Sequence, residues 1–477
     1  MLVGKYFMRY PQKPYAMVPD VTPAPGRVKT IFVTSFHPLI ARNIVSTPII
    51  SKLTWQGIRV VVVIPGYKRG YFERTYGTSG AIFEGVETGA PIRTLALGVF
   101  KRLAEALPHT RRAAIGRVRT LSGEKKSRLY YYLFYLPAGL LGRFRPFMRL
   151  ARLADFYLSP AGRFRPLLER YQPDLVFSTD VQNEHDVALM QDARRAGIAI
   201  VAMVRSWDNL TTRALRIIPD RLIVHNEIIQ NEASSLYGMK AERITVVGIP
   251  HYDKYFRGPT VPRESFFRKI GLDPRKKLVI YFPICDYRMR ENVVDRMVIE
   301  TLANLDANVV VRFPPAESVT IAGLVKPPAM IFDRPGYVFD ERIYGNRELT
   351  PEDDERLLHL LAYCDLVVAG PSTAAIDAAL FDKPLLLVDF YPTTLAEAEK
   401  IYEYGTEHFS PILASGGARR AKSRDEFLSR LHEYLTHPEL DHAGRARIVE
   451  EQCWRADGRS SQRVVAELLA ALGHEGA

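Results

Sequence analysis

A chain of 477 residues, 47% apolar and 25% charged, has a globular balance and enough length for two domains, which excludes wholesale disorder. The net charge of +12 is local: of 65 Lys/Arg and 53 Asp/Glu, 16 and 4 fall between Lys101 and Arg170, and the remaining 49 of each sign cancel. Three cysteines far apart in the chain (Cys285, Cys364, Cys453) exclude a disulfide framework and a thiolate metal site, and imply buried thiols in a reducing compartment.

The N-terminal tail, residues 1–26, is rich in proline, tyrosine and basic residues and lacks the apolar core of a signal peptide. From Val28 the chain alternates. Lys29 to Ser35 is a β-branched strand, Asn43 to Gln56 a helix and Arg59 to Pro65 a second strand, a βαβ unit of a parallel sheet. The alternation resumes with strand Asp174 to Thr179, helix Glu184 to Ala196, strands Ile198 to Val204 and Arg221 to His225, helix Glu227 to Tyr237 and strand Arg243 to Val247. Residues 259–276 read as a linker. A second series follows: strand Lys277 to Phe282, helix Val293 to Leu305, strands Asn308 to Arg312 and Ala329 to Phe332, helix Pro351 to Tyr363, strand Leu366 to Ala369, helix Ser372 to Phe381 and strand Pro384 to Val388. The expected architecture is therefore α/β: two tandem Rossmann-like, doubly wound domains at 27–258 and 277–440, with final helices at 441–477.

Residues 101–170 interrupt the first domain as a helical basic insert. It contains the longest near-apolar run, Leu129 to Gly142, which is too short for the roughly 18 residues of a membrane span and suits an interfacial segment or a buried helix. Arginines alternate there with aromatic and aliphatic residues. Arg143, Arg145, Arg149 and Arg152 are expected to meet anionic lipid while Leu133, Phe134 and Leu136 enter the interface. Nucleic acid is the rival partner for arginines beside aromatics. It does not call for a 14-residue near-apolar run, so an anionic membrane is expected and nucleic acid is not.

The sharpest chemical motif is Ala369-Gly-Pro-Ser-Thr-Ala-Ala-Ile-Asp377. A strand ends, Gly370 permits a tight turn, and Ser372 and Thr373 open a helix whose free N–H groups suit a phosphate. Asp377, one turn on, is spaced to reach a diol such as ribose. The plain alternative is a helix cap followed by a solvated aspartate. Arg312 ends a strand, where it either meets a phosphate or forms a structural ion pair. For a general base the candidates are His37, after the first strand, and Asp180 with Glu184, in a cluster with His185 and Asp186. Trp207, Asp208 and Asn209 follow another strand on the same edge, where they line the acceptor side or pack in the core.

The 369–377 turn, its aspartate and the Lys383-Pro384 that follows resemble the donor-nucleotide site of GT-B glycosyltransferases. That resemblance implies ribose binding by Asp377 and diphosphate contacts from Gly370, Ser372 and Thr373. Ser206-Trp-Asp-Asn-Leu-Thr211, Pro219-Asp-Arg-Leu-Ile-Val224 and Gly248-Ile-Pro-His-Tyr-Asp253 resemble bacterial cell-surface polysaccharide transferases related to CDP-glycerol glycerophosphotransferases and UDP-N-acetylglucosamine 2-epimerases. Arg312-Phe-Pro-Pro315 departs from the His-Pro that the phosphotransferase relatives usually carry, which counts against polyol-phosphate transfer.

The resemblance implies a nucleotide-sugar-dependent glycosyltransferase; together with the basic insert it leads to the expectation of a lipid-linked or cell-surface glycan acceptor and a cytoplasmic protein peripheral on the inner face of the cell membrane. No Asp-x-Asp metal element stands in the sequence, so metal independence is expected, with no cofactor beyond the nucleotide-sugar co-substrate. The alternatives are a sugar-nucleotide 2-epimerase or hydrolase, a polyol-phosphate transferase, and a non-catalytic relative.

Overall fold

The computed structural model describes residues 27–88, 95–121, 128–129, 131–288, 292–315, 317–340, 347–391 and 400–473. The expected 1–26 tail lies outside the described residues. The first sheet contains β1 (Thr30–Thr34), β2 (Arg59–Pro65), β3 (Ile82–Val86), β4 (Leu175–Ser178), β5 (Ala199–Met203), β6 (Arg221–Val224) and β7 (Ile244–Val246). They pair in parallel in the order β3-β2-β1-β4-β5-β6-β7, with Phe32 level with Val61 on one side and Val176 on the other. Val61, Val62 and Val63 are fully buried, as a parallel sheet covered on both faces requires.

The second sheet is built from β8 (Leu278–Phe282), β9 (Asn308–Arg312), β10 (Met330–Asp333), β13 (Leu366–Ala369), β14 (Leu385–Val388) and β15 (Arg419–Ala421), again all parallel, in the order β10-β9-β8-β13-β14-β15. Between β10 and the helix Pro351–Tyr363 stands a small antiparallel hairpin, β11 (Tyr337–Val338) with β12 (Arg347–Glu348). Both main sheets reverse their strand order beside their first strand, at β1/β4 and at β8/β13. Such a switch point leaves a crevice at the carboxyl ends of the strands.

Several elements depart from expectation. The helix expected over Asn43 to Gln56 is split into a π turn, Ala41–Val45, and an α-helix, Ile49–Trp55, because Pro48 has no N–H to continue the ladder. The edge strands β3 and β15 carry a glycine and two arginines, and neither shows the β-branched run that marked the others. The helix Pro351–Tyr363 matches its expected bounds and starts in a capping box between Thr350 and Asp353.

The last helix, Ser460–Ala471, crosses back to the first domain. Its Val464, Val465 and Leu468, with Leu472 just after it, share a core with Ile31 and Val33 of β1 and Ile49, Ile50 and Leu53 of the helix Ile49–Trp55, while Phe32 faces the opposite core. Asp253 fastens it by accepting the N–H groups of Ser460 at 2.9 Å and Ser461 at 2.7 Å. Gly248 (φ +88°) lies against it so closely that a Cβ there would fall 2.5 Å from Ser460 Oγ. Much of the Gly248 to Asp253 motif thus serves this crossing.

Candidate functional site

The two switch points face each other across one cleft of about 350 Å³, lined from both domains. The segments that follow β1, β5, β8 and β13 supply its walls.

On the second domain, Ser372, Thr373 and Asp377 line the cleft. The helix that follows, Ala374–Leu380, is seven residues long, and Thr373 at its N-cap makes no side-chain capping bond, so its hydroxyl is not consumed by the helix. Gly370 does not line the cleft. It makes the close approach between β13 and the loop after β8, where a Cβ would come 2.9 Å from Ile284 Cγ1. Asp377 is 6% exposed, and its Oδ1 has no hydrogen-bond partner among the described residues. Burial raises its pKa against the opposing pull of Arg42, the Tyr252 hydroxyl and Arg312. Arg312 lines the same wall but is buried in an ion pair with Asp333, and its Nη2 donates to the Asp353 carbonyl at 2.9 Å. The structural ion pair is therefore its observed partner.

On the first domain the expected candidates separate. His37 lines the cleft and caps its own turn, with Nδ1 accepting the Leu39 N–H at 3.2 Å. That bond places the proton of the neutral ring on Nε2. Burial, then Arg205 and Lys68, lower its pKa to about 3, so His37 is a neutral hydrogen-bond donor and a poor base near neutral pH. Asp180 is fully buried beneath the cleft floor, where it pairs with Arg205 and accepts the N–H groups of Gln182 at 2.8 Å and Asn183 at 3.3 Å. Asp186 beside it is bound by Thr34 and Ser178 and has its pKa pushed up by burial and then by Asp180. Glu184 does not reach the cleft: it pairs with Arg216 at 2.7 Å and Lys101 at 3.7 Å on the side of the basic insert. The helix Glu184–Arg195 turns successive side chains by about 100°, which sends Glu184 to a different face from Asp186.

Trp207 and Asp208 line the cleft. Trp207 is nonetheless 9% exposed, with its ring 5.3 Å from His408 and 6.0 Å from Phe409 of the second domain, so it both packs and borders the opening. Asn209 works from behind, its Oδ1 accepting the N–H groups of Arg205 at 2.8 Å and Ser206 at 2.9 Å and so shaping the loop. Asp208 is a half-buried cleft carboxylate with no ion-pair partner among the described residues, unlike Glu403, which pairs with Arg288 at 3.2 Å.

Arg42 and Arg112 are cleft residues that no sequence pattern singled out. Arg42 is held by a neutral imidazole, Nη2 to His251 Nε2 at 3.1 Å, because burial and then Arg42 itself keep His251 far below its usual pKa. Its charge is thus not cancelled by a carboxylate contact among the described residues. A single arginine five residues beyond His37 leaves no signal in sequence.

In the basic insert, Leu133 is 71% exposed and Leu136 40%, joined by exposed Leu129, Tyr132, Leu140, Leu141 and Phe144, while Phe134 is half-buried. Arg143, Arg145 and Arg149 are exposed among them, Arg145 also donating to the Ser235 carbonyl at 3.2 Å. Arg152 corrects the expectation. In the helix Arg145–Leu158 it falls on the inner face with Met148, Asp155 and Phe156 and is buried. Among the described residues no helix is long and apolar enough to cross a membrane, and no group of three or more His, Cys, Asp or Glu is placed to hold a metal.

Residues 201–470 match the family described as CDP-Glycerol:Poly(glycerophosphate) glycerophosphotransferase. A lipid-A-disaccharide synthase from Syntrophotalea carbinolica is 23% identical over 314 residues, 64% of this chain and 75% of that protein. The UDP-GlcNAc 2-epimerase of Neisseria meningitidis, solved with UDP-GlcNAc bound, has a TM-score of 0.54 at 12% identity, covering 93% of this chain and all of its own. The S. aureus MnaA–UDP structure has a TM-score of 0.52 at 13% identity, covering 94% and 98%. At such identity the likeness shows the fold, the two facing Rossmann-like domains of GT-B proteins.

Proposed function

Because the chain belongs to the CDP-Glycerol:Poly(glycerophosphate) glycerophosphotransferase family, we propose that it is a transferase that moves a glycosyl unit from a nucleotide sugar to a lipid-linked or cell-surface glycan acceptor. The observation that carries this reading is Asp377, a buried carboxylate with one oxygen unfilled, opening on a two-domain cleft beside the uncapped Thr373 hydroxyl. A buried acceptor without a partner is completed by a donor group, and a ribose diol supplies two. The diphosphate then lies at Ser372 and Thr373 with Arg42 facing it from the first domain. Positive charge from arginine suits a departing diphosphate, so metal independence is part of the reading. Asp208 takes the proton of the acceptor hydroxyl, and His37 donates through Nε2–H. Relatives in the solved structures were captured with UDP and UDP-GlcNAc, which agrees with a nucleotide-sugar donor.

The acceptor side supports work at the inner face of the cell membrane, with the protein peripheral and cytoplasmic. The exposed leucines and arginines of the insert suit an anionic lipid surface, since one sinks below the headgroups and the other stays among them.

A second reading, polyol-phosphate transfer, is favoured by the family match itself, against which stands the Arg312–Asp333 pair where those relatives usually carry His-Pro. Thermal shift of the full chain against UDP, CDP, nucleotide sugars and CDP-glycerol separates the two. A ligand at a hundred times its dissociation constant stabilises by about 2.7 kcal/mol. Preference for CDP-glycerol would move the assignment to polyol phosphate, and turnover of a nucleotide sugar without acceptor would move it to epimerase or hydrolase. No stabilisation by any of them would remove the donor site.

A further inference from the structure

We propose that docking of the insert's apolar run on an anionic bilayer is transmitted to the cleft by the helix Arg111–Leu121 of the same insert, with Glu407 of the second domain as its latch. The proposal rests on the membrane reading above and adds regulation of the same site.

The helix is anchored at one end in the cleft. There the Glu407 carboxylate accepts the backbone N–H groups of Arg111 and Arg112, the latter at 3.1 Å, a negative charge at the positive end of a helix. The Arg112 guanidinium lies 4.6 Å from the Tyr402 ring centroid and lines the cleft. The first domain holds the same turn through Thr110, whose Oγ1 donates to the Thr211 carbonyl at 2.7 Å. The stretch Tyr402 to Phe409 therefore touches this helix, supplies Glu403 and His408 to the cleft wall, and packs on Trp207.

Five residues along, about 7–8 Å at helical rise, this helix of the insert meets the insert's apolar run. Arg117 donates to the carbonyls of Ala106 at 3.0 Å and Pro108 at 2.8 Å, and its guanidinium lies against Gly139, where a Cβ would fall 3.2 Å from Cζ. Gly139 sits in the helix Leu136–Leu141, whose Leu136, Leu140 and Leu141 are exposed. Arg143, Arg145 and Arg149 add positive charge beside them, and the one acidic residue between Leu129 and Leu158, Asp155, is buried against Arg216 at 2.8 Å. That surface is complementary to an anionic bilayer. A helix pinned at one end loses less entropy when it makes a contact at the other. Docking therefore tightens the Glu407 cap and orders the 402–409 wall of the cleft.

The test uses the full chain with vesicles of phosphatidylcholine alone or with phosphatidylglycerol. Flotation reads docking, and hydrogen exchange reads the amides of 110–113 and 402–409. Anionic vesicles are expected to float the protein and slow exchange in both stretches. Glu407→Gln should still float and lose that slowing, and Glu407→Asp should recover part of it. Absence of flotation defeats the membrane reading itself. Flotation with protection confined to 128–158 leaves docking standing and overturns the coupling, as would full slowing in Glu407→Gln.

Discussion

In the proposed function Asp377 binds the donor and Asp208 takes the proton, and single substitutions separate these two roles. Asp377→Asn removes a charged acceptor for ribose and is expected to weaken donor binding by about 1.5–3 kcal/mol in a titration of the folded variant. Unaltered donor affinity would exclude the ribose role. Asp208→Asn should leave donor affinity in place and lower turnover by about 10²–10⁴. Glu184→Gln, on the insert side, should change turnover little; a large loss there would return the base to the 180–186 cluster. Histidines whose pKa is lowered, among them the half-buried His37 and His185 and the buried His225, add a pH dependence. Their pKa values are lowered to about 3 for His37 and about 4 for His185 and His225, chiefly by burial. The unfolded chain binds protons more readily at these sites. Their contribution to stability is therefore complete above the ordinary histidine value of about 6.5 and falls away as pH drops toward 4 and 3. Urea midpoints from pH 7.5 to 4.5 should decline, and His185→Gln should flatten the slope; a flat wild-type profile would contradict the neutral rings.

In the proposed membrane docking, the insert helices separate lipid contact from packing along a single element. In Arg145–Leu158 the outer face carries Arg149 and Leu150, and the inner face carries Arg152 and Asp155. Replacing Arg143, Arg145 and Arg149 together by Ser should remove the salt-sensitive part of binding to anionic liposomes, at about 1 kcal/mol per charge. Replacing Leu133, Leu136 and Leu140 by Ser should remove the part that survives high salt. Arg152→Ser should leave liposome binding intact and lower the melting temperature, because it removes a buried cation from the Asp155 and Arg216 neighbourhood. If Arg152→Ser instead abolishes flotation while the exposed triple variant floats normally, the assignment of faces is inverted. Tight RNA binding without flotation at low salt would replace the membrane as partner.

Across the whole molecule, the domains are joined by more than the linker. The hairpin β11–β12 of the second domain stacks Tyr337 on Tyr71 at 4.8 Å, Phe339 just beyond it meets Tyr67 at 5.4 Å, and Glu348 pairs with Lys68 at 0% and 1% exposure. Glu348→Gln strands a buried lysine charge and is expected to cost about 3–5 kcal/mol, read as a lower urea midpoint. A midpoint unchanged within error would mean that the clasp contributes nothing to joining the domains.

The two parallel sheets were legible from sequence because strands buried on both faces appear as β-branched runs, such as Arg59 to Pro65 and Asn308 to Arg312, spaced by helices. The turn at 369–377, the proposed donor site, was legible because strand, glycine, hydroxyls and aspartate lie within nine residues. The basic insert was legible because charge and apolar length are sums over composition. Three things waited for the tertiary structure. Glu184, Asp186 and Asp208 all follow strand ends, and only the rotation of a helix and the path of a loop decide which carboxylate meets the cleft. Arg42 and Glu407 act on groups some 200 and 300 residues away, a pairing that no local pattern encodes. The return of Ser460–Ala471 to the first domain depends on apolar residues whose spacing fits either sheet equally well, and the choice was made by Asp253 and the bare backbone at Gly248.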